Sequence, residues 1–294
     1  MDHRLVGIVC ALASGLAWAL GAILYRRLSD SVSAPSLNLS KCLLTAAVLL
    51  VVTLAVGPEP IDRRSFSLLA VSGLLGIALG DTFFFIALRH LGAHIVLLLV
   101  TLGQVLTVVL AVVLLGESAS AAVWAGVAMV IGGVAVGMIT KLTGDNVRYN
   151  LTGILFGVLA VLCMAVGVIV TKRGIATVSA LQATSIRMAA GVVGLLVWAV
   201  ATRRARAWLA PLRDRALLRD MAIAVVVASL GGFWLSHVAI KHVEVSVANT
   251  LNSTEPLFVL PLAAIFLKEK IRWHAVLGAV IAVGGVVVIV RGGP

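Results

Sequence analysis

The chain has 294 residues, of which 61% are hydrophobic and 12% charged, with a net charge of +11 and a mean hydropathy of +1.14. Soluble globular domains are nearer half apolar and a quarter charged, so the composition excludes that class. The positive charge does not indicate a nucleic-acid-binding protein, because the basic residues are spread over short segments between apolar runs. Such segments are explained by membrane topology and by anionic lipid headgroups.

Apolar runs of about 20 residues, long enough to cross a bilayer, follow one another along the whole chain. They predict ten membrane-spanning helices and no soluble domain. The runs are 5–25, 36–56, 68–88, 91–115, 119–140, 151–171, 178–202, 220–240, 243–267 and 273–290. The longest predicted connection is 203–219. The cysteines Cys10, Cys42 and Cys163 all fall inside apolar runs and predict neither a disulfide framework nor a metal site.

The sequence repeats itself. At an offset of 146 residues, GIVCALASGLAWALGAILYRR from Gly7 aligns with GILFGVLAVLCMAVGVIVTKR from Gly153, and Lys41 aligns with Arg187. After an insertion in the second half the offset becomes 152, and LLGE at 114–117 then aligns with FLKE at 266–269. Because the first run has an internal copy, we predict a retained helix there and not a cleaved secretory signal.

An odd number of spans in each half sends the second half into the membrane from the opposite side. The sequence therefore predicts an all-α membrane protein of ten transmembrane helices, built from two inverted five-helix repeats. We assign residues 1–140 and 151–294 to the repeats and 141–150 to a linker. Glycines four residues apart, such as Gly133 and Gly137, predict close helix packing.

The LLGE and FLKE segments, each followed by a span that contains Gly-Gly, resemble the EamA-type repeat of the drug/metabolite transporter superfamily. TEPLFVLPLAAIFLKEKI is similar to the ninth-helix pattern of that family, and LGDTFFFIALRHLGA resembles a junction between the third and fourth helices of some members. The basic residues early in helices 2 and 7 also match. The resemblance covers essentially the whole chain and implies a ten-helix carrier that moves small organic solutes, often outward.

Glu255 lies near the middle of the ninth run, where charged side chains are costly and usually face a cavity or a partner. Pro256 cannot donate a backbone hydrogen bond and displaces the preceding residue from helical geometry. We therefore predict a helix break at Pro256, with free carbonyl groups near Leu251 and Asn252. Glu255, Asn249 and Asn252 are predicted to bind substrate or to couple transport. The alternative is a neutral acid that only satisfies the kink.

Three further charged residues lie inside apolar runs. Asp81 is at mid-depth in the third run, and its repeat counterpart is Phe233, so the repeat does not require an acid there. It is predicted either to act at the substrate site or to bond a neighbouring helix. Lys41 and Arg187 lie in opposite halves of the membrane. They are predicted either to flank a central site and bind the anionic part of a substrate, or to extend to the nearer headgroups.

His94 and His237 lie near the ends of runs and are predicted to be interfacial or helix-bonding. No metal-ligand spacing and none of the common catalytic motifs occurs, so the sequence predicts neither an enzyme nor a cofactor. The loops have no room for a nucleotide-binding domain. A gradient is therefore the expected energy source, and protons are the simplest candidate because Glu255 and Asp81 are acids at mid-depth.

These features predict a secondary transporter, an exporter or an exchanger, of a small polar or amphipathic metabolite. Acids and bases together favour an amino-acid-like solute. The alternative is a lipid or lipid-headgroup carrier of the same fold. The expected partners are the solute and membrane lipids, without nucleic acid, and the expected form is a multi-pass cell-membrane protein that is a monomer or a homodimer.

The charge distribution and the family resemblance imply opposite orientations in the membrane. Lys and Arg are more numerous on the side that contains 203–219, and the positive-inside rule places that side in the cytoplasm and both termini outside. The family resemblance implies termini inside. We follow the charge count, because an arginine-rich connection is costly to translocate.

Overall fold

The computed structural model describes residues 3–57, 60–115, 120–142, 147–174, 178–232, 235, 238–239, 242, 251 and 254–292. The described elements are helices, and no strand occurs among them. The α-helices are α1 His3–Ser31, α2 Ala34–Val56, α3 Arg63–Ser72, α4 Asp81–Leu91, α5 Ala93–Val100, α6 Leu102–Leu115, α7 Ala121–Leu142, α8 Val147–Gly174, α9 Ala180–Ala201, α10 Ala205–Leu209, α11 Arg215–Ala224, α12 Glu255–Phe266 and α13 Trp273–Gly292. The all-α class is confirmed.

Seven helices in the described ranges are long and apolar enough to cross a membrane. They match the first, second, third, fifth, sixth, seventh and tenth predicted runs. The spans are Leu5–Ser31, Ala34–Val56, Arg63–Leu91, Ala121–Met138, Leu151–Thr171, Leu181–Ala201 and Trp273–Arg291. The fourth run is divided into α5 and α6, which meet at Thr101. The eighth and ninth runs fall partly outside the described residues.

Two helices start earlier in the chain than the apolar runs predict, because an aspartate caps the first turn of each helix. The Asp62 carboxylate accepts a hydrogen bond from the Ser65 N–H (2.9 Å), and α3 therefore begins at Arg63. Asp214 likewise accepts hydrogen bonds from the first turn of α11. Each aspartate satisfies backbone N–H groups that have no partner within the helix.

The predicted connection 203–219 is not a simple loop. It contains α10, a 3₁₀ helix at Ala210–Arg213 and the start of α11. Trp208 is buried, its ring packs edge-on against Trp198, and its carbonyl accepts a hydrogen bond from the Ser36 hydroxyl (2.6 Å). The segment is therefore folded against α2 and α9.

The repeat predicted from sequence is visible in the elements themselves. Two π-helical segments occur in the described chain, the first at Gly73–Gly80 and the second at Val225–Gly232, and they begin 152 residues apart. α3 and α11 are separated by the same 152 residues, and α2 and α9 by 146. Both offsets equal those found by alignment.

The chain forms two compact units, and each combines segments from both halves of the sequence. Unit 1 comprises Met1–Arg27, His90–Ile154 and Val226–Pro294, and unit 2 comprises Leu28–Arg89 and Leu155–Val225. The repeat boundaries 1–140 and 151–294 describe sequence similarity and stay a prediction.

In unit 1, α7 and α13 touch through glycines. A Cβ on Gly126 would lie 2.7 Å from the Gly285 carbonyl oxygen, and one on Gly133 would lie 2.7 Å from that of Gly278. Side chains at these positions would separate the helices, so the glycines permit the close approach. The packing predicted for Gly133 is thus present.

The order of these contacts gives the helix directions. As α7 advances from Gly126 to Gly133, its partner in α13 moves back from Gly285 to Gly278, so the two helices are antiparallel. At the 152-residue offset Gly126 is equivalent to Gly278, and Gly133 is equivalent to Gly285. The contact of Gly126 with Gly285 is therefore equivalent to the contact of Gly133 with Gly278. Such an exchange of equivalent residues is the property of a two-fold axis. The contacts therefore show an inverted relation between these helices.

Each π-helical segment packs against the first helix of the other half of the sequence. In unit 2, a Cβ on Gly167 of α8 would lie 3.1 Å from the Gly76 Cα of the first segment. In unit 1, a Cβ on Gly21 of α1 would overlap Ala228 of the second segment. Gly21 and Gly167 are equivalent at the 146-residue offset, and Gly76 and Ala228 are equivalent at the 152-residue offset. The two contacts are therefore the same contact in the two halves. Because the first helix of each half packs against the other half, both halves contribute to each unit.

We expect Gly133→Ala to destabilise the protein, because the added methyl group would lie 2.5 Å from the Ala282 backbone nitrogen. Overpacking of this kind costs about 1–3 kcal/mol, and the thermal midpoint in detergent should fall by a few degrees. Gly132→Ala is the matched control, since a Cβ on Gly132 meets nothing within 4 Å. Equal midpoints for the two variants would contradict the described contact.

Candidate functional site

Unit 2 holds a partly buried ion pair between two membrane spans. The Lys41 Nζ of α2 pairs with the Asp81 carboxylate at the start of α4. Lys41 is buried, and its ammonium group also lies 5.5 Å from the centre of the Phe85 ring. The lysine therefore does not extend to the headgroups, and Asp81 bonds a neighbouring helix.

A π-helical segment positions Asp81. In Gly73–Gly80 the wider turn leaves carbonyl groups outside the regular helical pattern, and such segments are frequent at functional sites. The Asn38 amide fills this gap, because its Nδ2 donates to the carbonyls of Ile77 (2.8 Å) and Ala78 (3.3 Å). Asn38 is fully buried and also donates to the Thr82 hydroxyl (3.0 Å). These bonds fix the backbone of the turn before Asp81 and the side chain of Thr82 after it.

Arg187 of α9 lies along the glycine side of the same segment. A Cβ on Gly73 would overlap the Arg187 carbonyl, and a Cβ on Gly76 would lie 3.5 Å from the Arg187 Nη2. The Arg187 Nε is buried and has no hydrogen-bond partner within the described residues. The Asp81 N–H donates to the Gly76 carbonyl, so Gly76 connects Asp81 to this arginine. The structure thus brings Lys41, Asp81 and Arg187 together, and we call these three residues the charge cluster.

Glu255 belongs to unit 1 and occupies the first turn of α12. No described residue donates a hydrogen bond to its carboxylate. An acid at a helix N-terminus is stabilised by the exposed N–H groups and the helix dipole. The residue thus lies at a helix start within the ninth apolar run, beside the segment in which Asn249 and Asn252 fall outside the described residues.

One expectation about the segment before Pro256 needs correction. Pro256 lies in the first turn of α12, where a missing N–H costs no helical bond, and α12 starts at Glu255 within the ninth apolar run. The Leu251 carbonyl, which was expected to be free, accepts hydrogen bonds from the Thr254 N–H (3.2 Å) and hydroxyl (2.6 Å). The proline that removes an internal bond is Pro261.

Unit 1 contains a contact between Glu269 and His94 that the sequence did not predict. Lys268 adopts a left-handed conformation (φ 53°) after α12, and the Glu269 carboxylate then accepts a bond from the Ala93 N–H (3.2 Å) and pairs with His94. A Cβ on Gly92, which has φ 84°, would lie 2.6 Å from the Glu269 Oε1. His94 therefore binds across helices, while Glu269 caps α5. Only its place in the FLKE segment marked Glu269 in the sequence.

The candidate residues fall into two groups. The charge cluster lies in unit 2, whereas Glu255 and the Glu269–His94 contact lie in unit 1. Asn38, which sequence reasoning missed, is a polar residue in the span of Lys41 and one turn before it. That spacing places both side chains on the same part of the α2 surface. It was the feature of the sequence that could have identified Asn38 as a site residue.

Comparisons with known proteins agree with this architecture. A chain of known crystal structure is similar to this one with a TM-score of 0.60 and 18% sequence identity, and the similarity covers 98% of both chains. At that identity the likeness concerns the fold alone. No curated protein sequence matches the chain.

The sequence matches the EamA-like transporter family twice, at residues 5–139 and 151–291. The two matches cover nearly the whole sequence, and they include the helices that carry the charge cluster and Glu255. With its multiple apolar spans, the protein is a multi-pass membrane protein. The chain belongs to the EamA-like transporter family.

Proposed function

We propose that the protein is a secondary transporter of a small polar metabolite, with an amino-acid-like solute as the favoured substrate. The observation that carries the proposal is the charge cluster inside the membrane spans of unit 2. Ionisable groups in hydrocarbon are costly and usually serve a transport pathway or a substrate site. Membership of a family of small-solute transporters supports the same function.

The antiparallel contact of α7 and α13 supports alternating access. Two halves related by an axis in the membrane plane have two mirrored asymmetric states, and each state opens to one side. In this proposal, Lys41, Asp81 and Arg187 contact the solute in unit 2. Asn249 and Asn252 remain proposed ligands beside Glu255.

Glu255 is the proposed coupling residue. A carboxylate at a helix start within an apolar run gains or loses a proton as its surroundings change, which is the requirement for proton coupling. Solute export or exchange driven by a proton gradient across the cell membrane follows from this role. The family resemblance, which implies frequent outward transport, supports the same direction.

The substrate is best identified in two steps. A thermal-shift screen of the purified protein against metabolite fractions selects ligands, and uptake into proteoliposomes then measures their transport. Proteoliposomes that contain headgroup-labelled fluorescent lipids form a parallel arm. Lipid translocation without solute uptake would replace the proposed function by a lipid carrier.

Arg187→Ala is expected to reduce solute uptake by at least about tenfold, because loss of one charge-assisted contact costs about 1.5–3 kcal/mol. The yield of folded protein should be nearly unchanged. Arg219→Ala is the matched control, since Arg219 is exposed and pairs only with the neighbouring Asp220 among the described residues. Wild-type uptake by Arg187→Ala would remove Arg187 from the substrate site.

Glu255→Gln is expected to abolish uptake driven by a proton gradient and to leave solute exchange intact, because glutamine keeps the shape but cannot titrate. Uptake and exchange are measured in proteoliposomes from mildly acidic to mildly alkaline pH. Pro256→Ala is the local control and should keep the wild-type pH dependence, since its position in the first turn tolerates either residue. An unaltered pH profile in Glu255→Gln would assign the glutamate a structural role only.

A further inference from the structure

The charges within the spans of unit 2 do not balance. Away from their ends, the spans Ala34–Val56, Arg63–Leu91, Leu151–Thr171 and Leu181–Ala201 contain two cations and one anion. These are the members of the charge cluster. The Asp81 carboxylate is already bound to Lys41, and the cluster therefore carries one positive charge in excess.

Within the charge cluster, Arg187 carries an unsatisfied hydrogen-bonding group. Its Nε is buried without a partner in the described part of the chain, and a buried donor left unpaired is costly. The residue as a whole is half-buried, so part of it remains accessible. A guanidinium group presents donors in a planar fork that matches a carboxylate or a phosphate.

We propose that the transported solute carries a compact anionic group, a carboxylate or a phosphate, which binds Arg187 and competes with Asp81 for Lys41. The inference rests on the proposed function and specifies its substrate class. The negative charge of such a group offsets the excess charge of the cluster, and its oxygens supply acceptors to the guanidinium group. A zwitterion satisfies the condition through its carboxylate, whereas a solute with only a cationic group raises the charge to two and is rejected.

Asp81 acts in this scheme as an internal counter-ion. Without solute it holds Lys41, and with solute it yields part of that contact to the incoming anion. Because the Asn38 amide holds the turn before Asp81 and the Thr82 side chain after it, the carboxylate stays beside the site in both conditions. The competition weakens anion binding enough for release, which a carrier requires.

Stability measurements test the charge excess without a known ligand. Arg187→Met keeps the length of the side chain and removes the unpaired charge, so the thermal midpoint of the empty protein should stay the same or rise. Asp81→Asn leaves two cations without an acid and should lower the midpoint by roughly 5 °C or more. A fall in Arg187→Met as large as that in Asp81→Asn would overturn the inference.

A probe series on one scaffold tests the substrate class. Leucine, N-acetylleucine, leucinamide and N-acetylleucinamide differ in charge, and glycerol 3-phosphate against glycerol provides the phosphate arm. Anionic and zwitterionic probes should raise the midpoint of the wild type or inhibit uptake of the screened metabolite, and Arg187→Met should lose the response. Equal responses to leucinamide, or none to any anionic probe, would overturn the inference.

These outcomes separate the inference from the proposed function. If a cationic or neutral metabolite is transported and the anionic probes are inert, the protein is a secondary transporter and the anion inference fails. If neither metabolite fractions nor probes enter proteoliposomes, the proposed function fails even where anions shift the midpoint.

Discussion

The antiparallel glycine contact between α7 and α13 is the constraint on which the remaining architecture depends. Equivalent glycines exchange partners across it, and this is possible only if the two helices run in opposite directions. An inverted repeat follows, and with it the exchange that packs each π-helical segment against the first helix of the other half. Two compact units, each built from both halves, are the result.

The repeats share a backbone plan but differ in charge. Lys41 and Arg187 are equivalent positions and both are basic, whereas Asp81 corresponds to Phe233. The first π-helical segment therefore leads into an acid that the second lacks. Burial of a charged side chain is tolerated when it is paired, and the structure pairs Lys41 with Asp81 while leaving the Arg187 Nε without a partner among the described residues. This difference between otherwise related halves is the basis of the anion inference.

Hydropathy and repetition predict the long spans, the repeat offsets, the glycine packing and the charged residues that merit attention. They do not predict the π-helical segments, because hydropathy averages over a whole span and carries no information about individual backbone bonds. Pairings such as Glu269 with His94 depend on tertiary packing between residues 175 positions apart. The free carbonyl group predicted at Leu251 was wrong for a local reason, because the Thr254 hydroxyl donates a hydrogen bond to it.

Accessibility of the charge cluster from both membrane faces tests the account most directly. A cysteine is placed at Gly76, where its Cβ would be in ordinary van der Waals contact with the Arg187 Nη2 (3.5 Å) and the Gly167 Cα (3.8 Å), and Cys10, Cys42 and Cys163 are first replaced by serine. A membrane-impermeant thiol reagent is applied to either side of oriented proteoliposomes, with and without a transported solute. Alternating access predicts labelling from both sides and a solute-dependent change in the ratio of the two rates. Labelling from one side only, or from neither side, would contradict it.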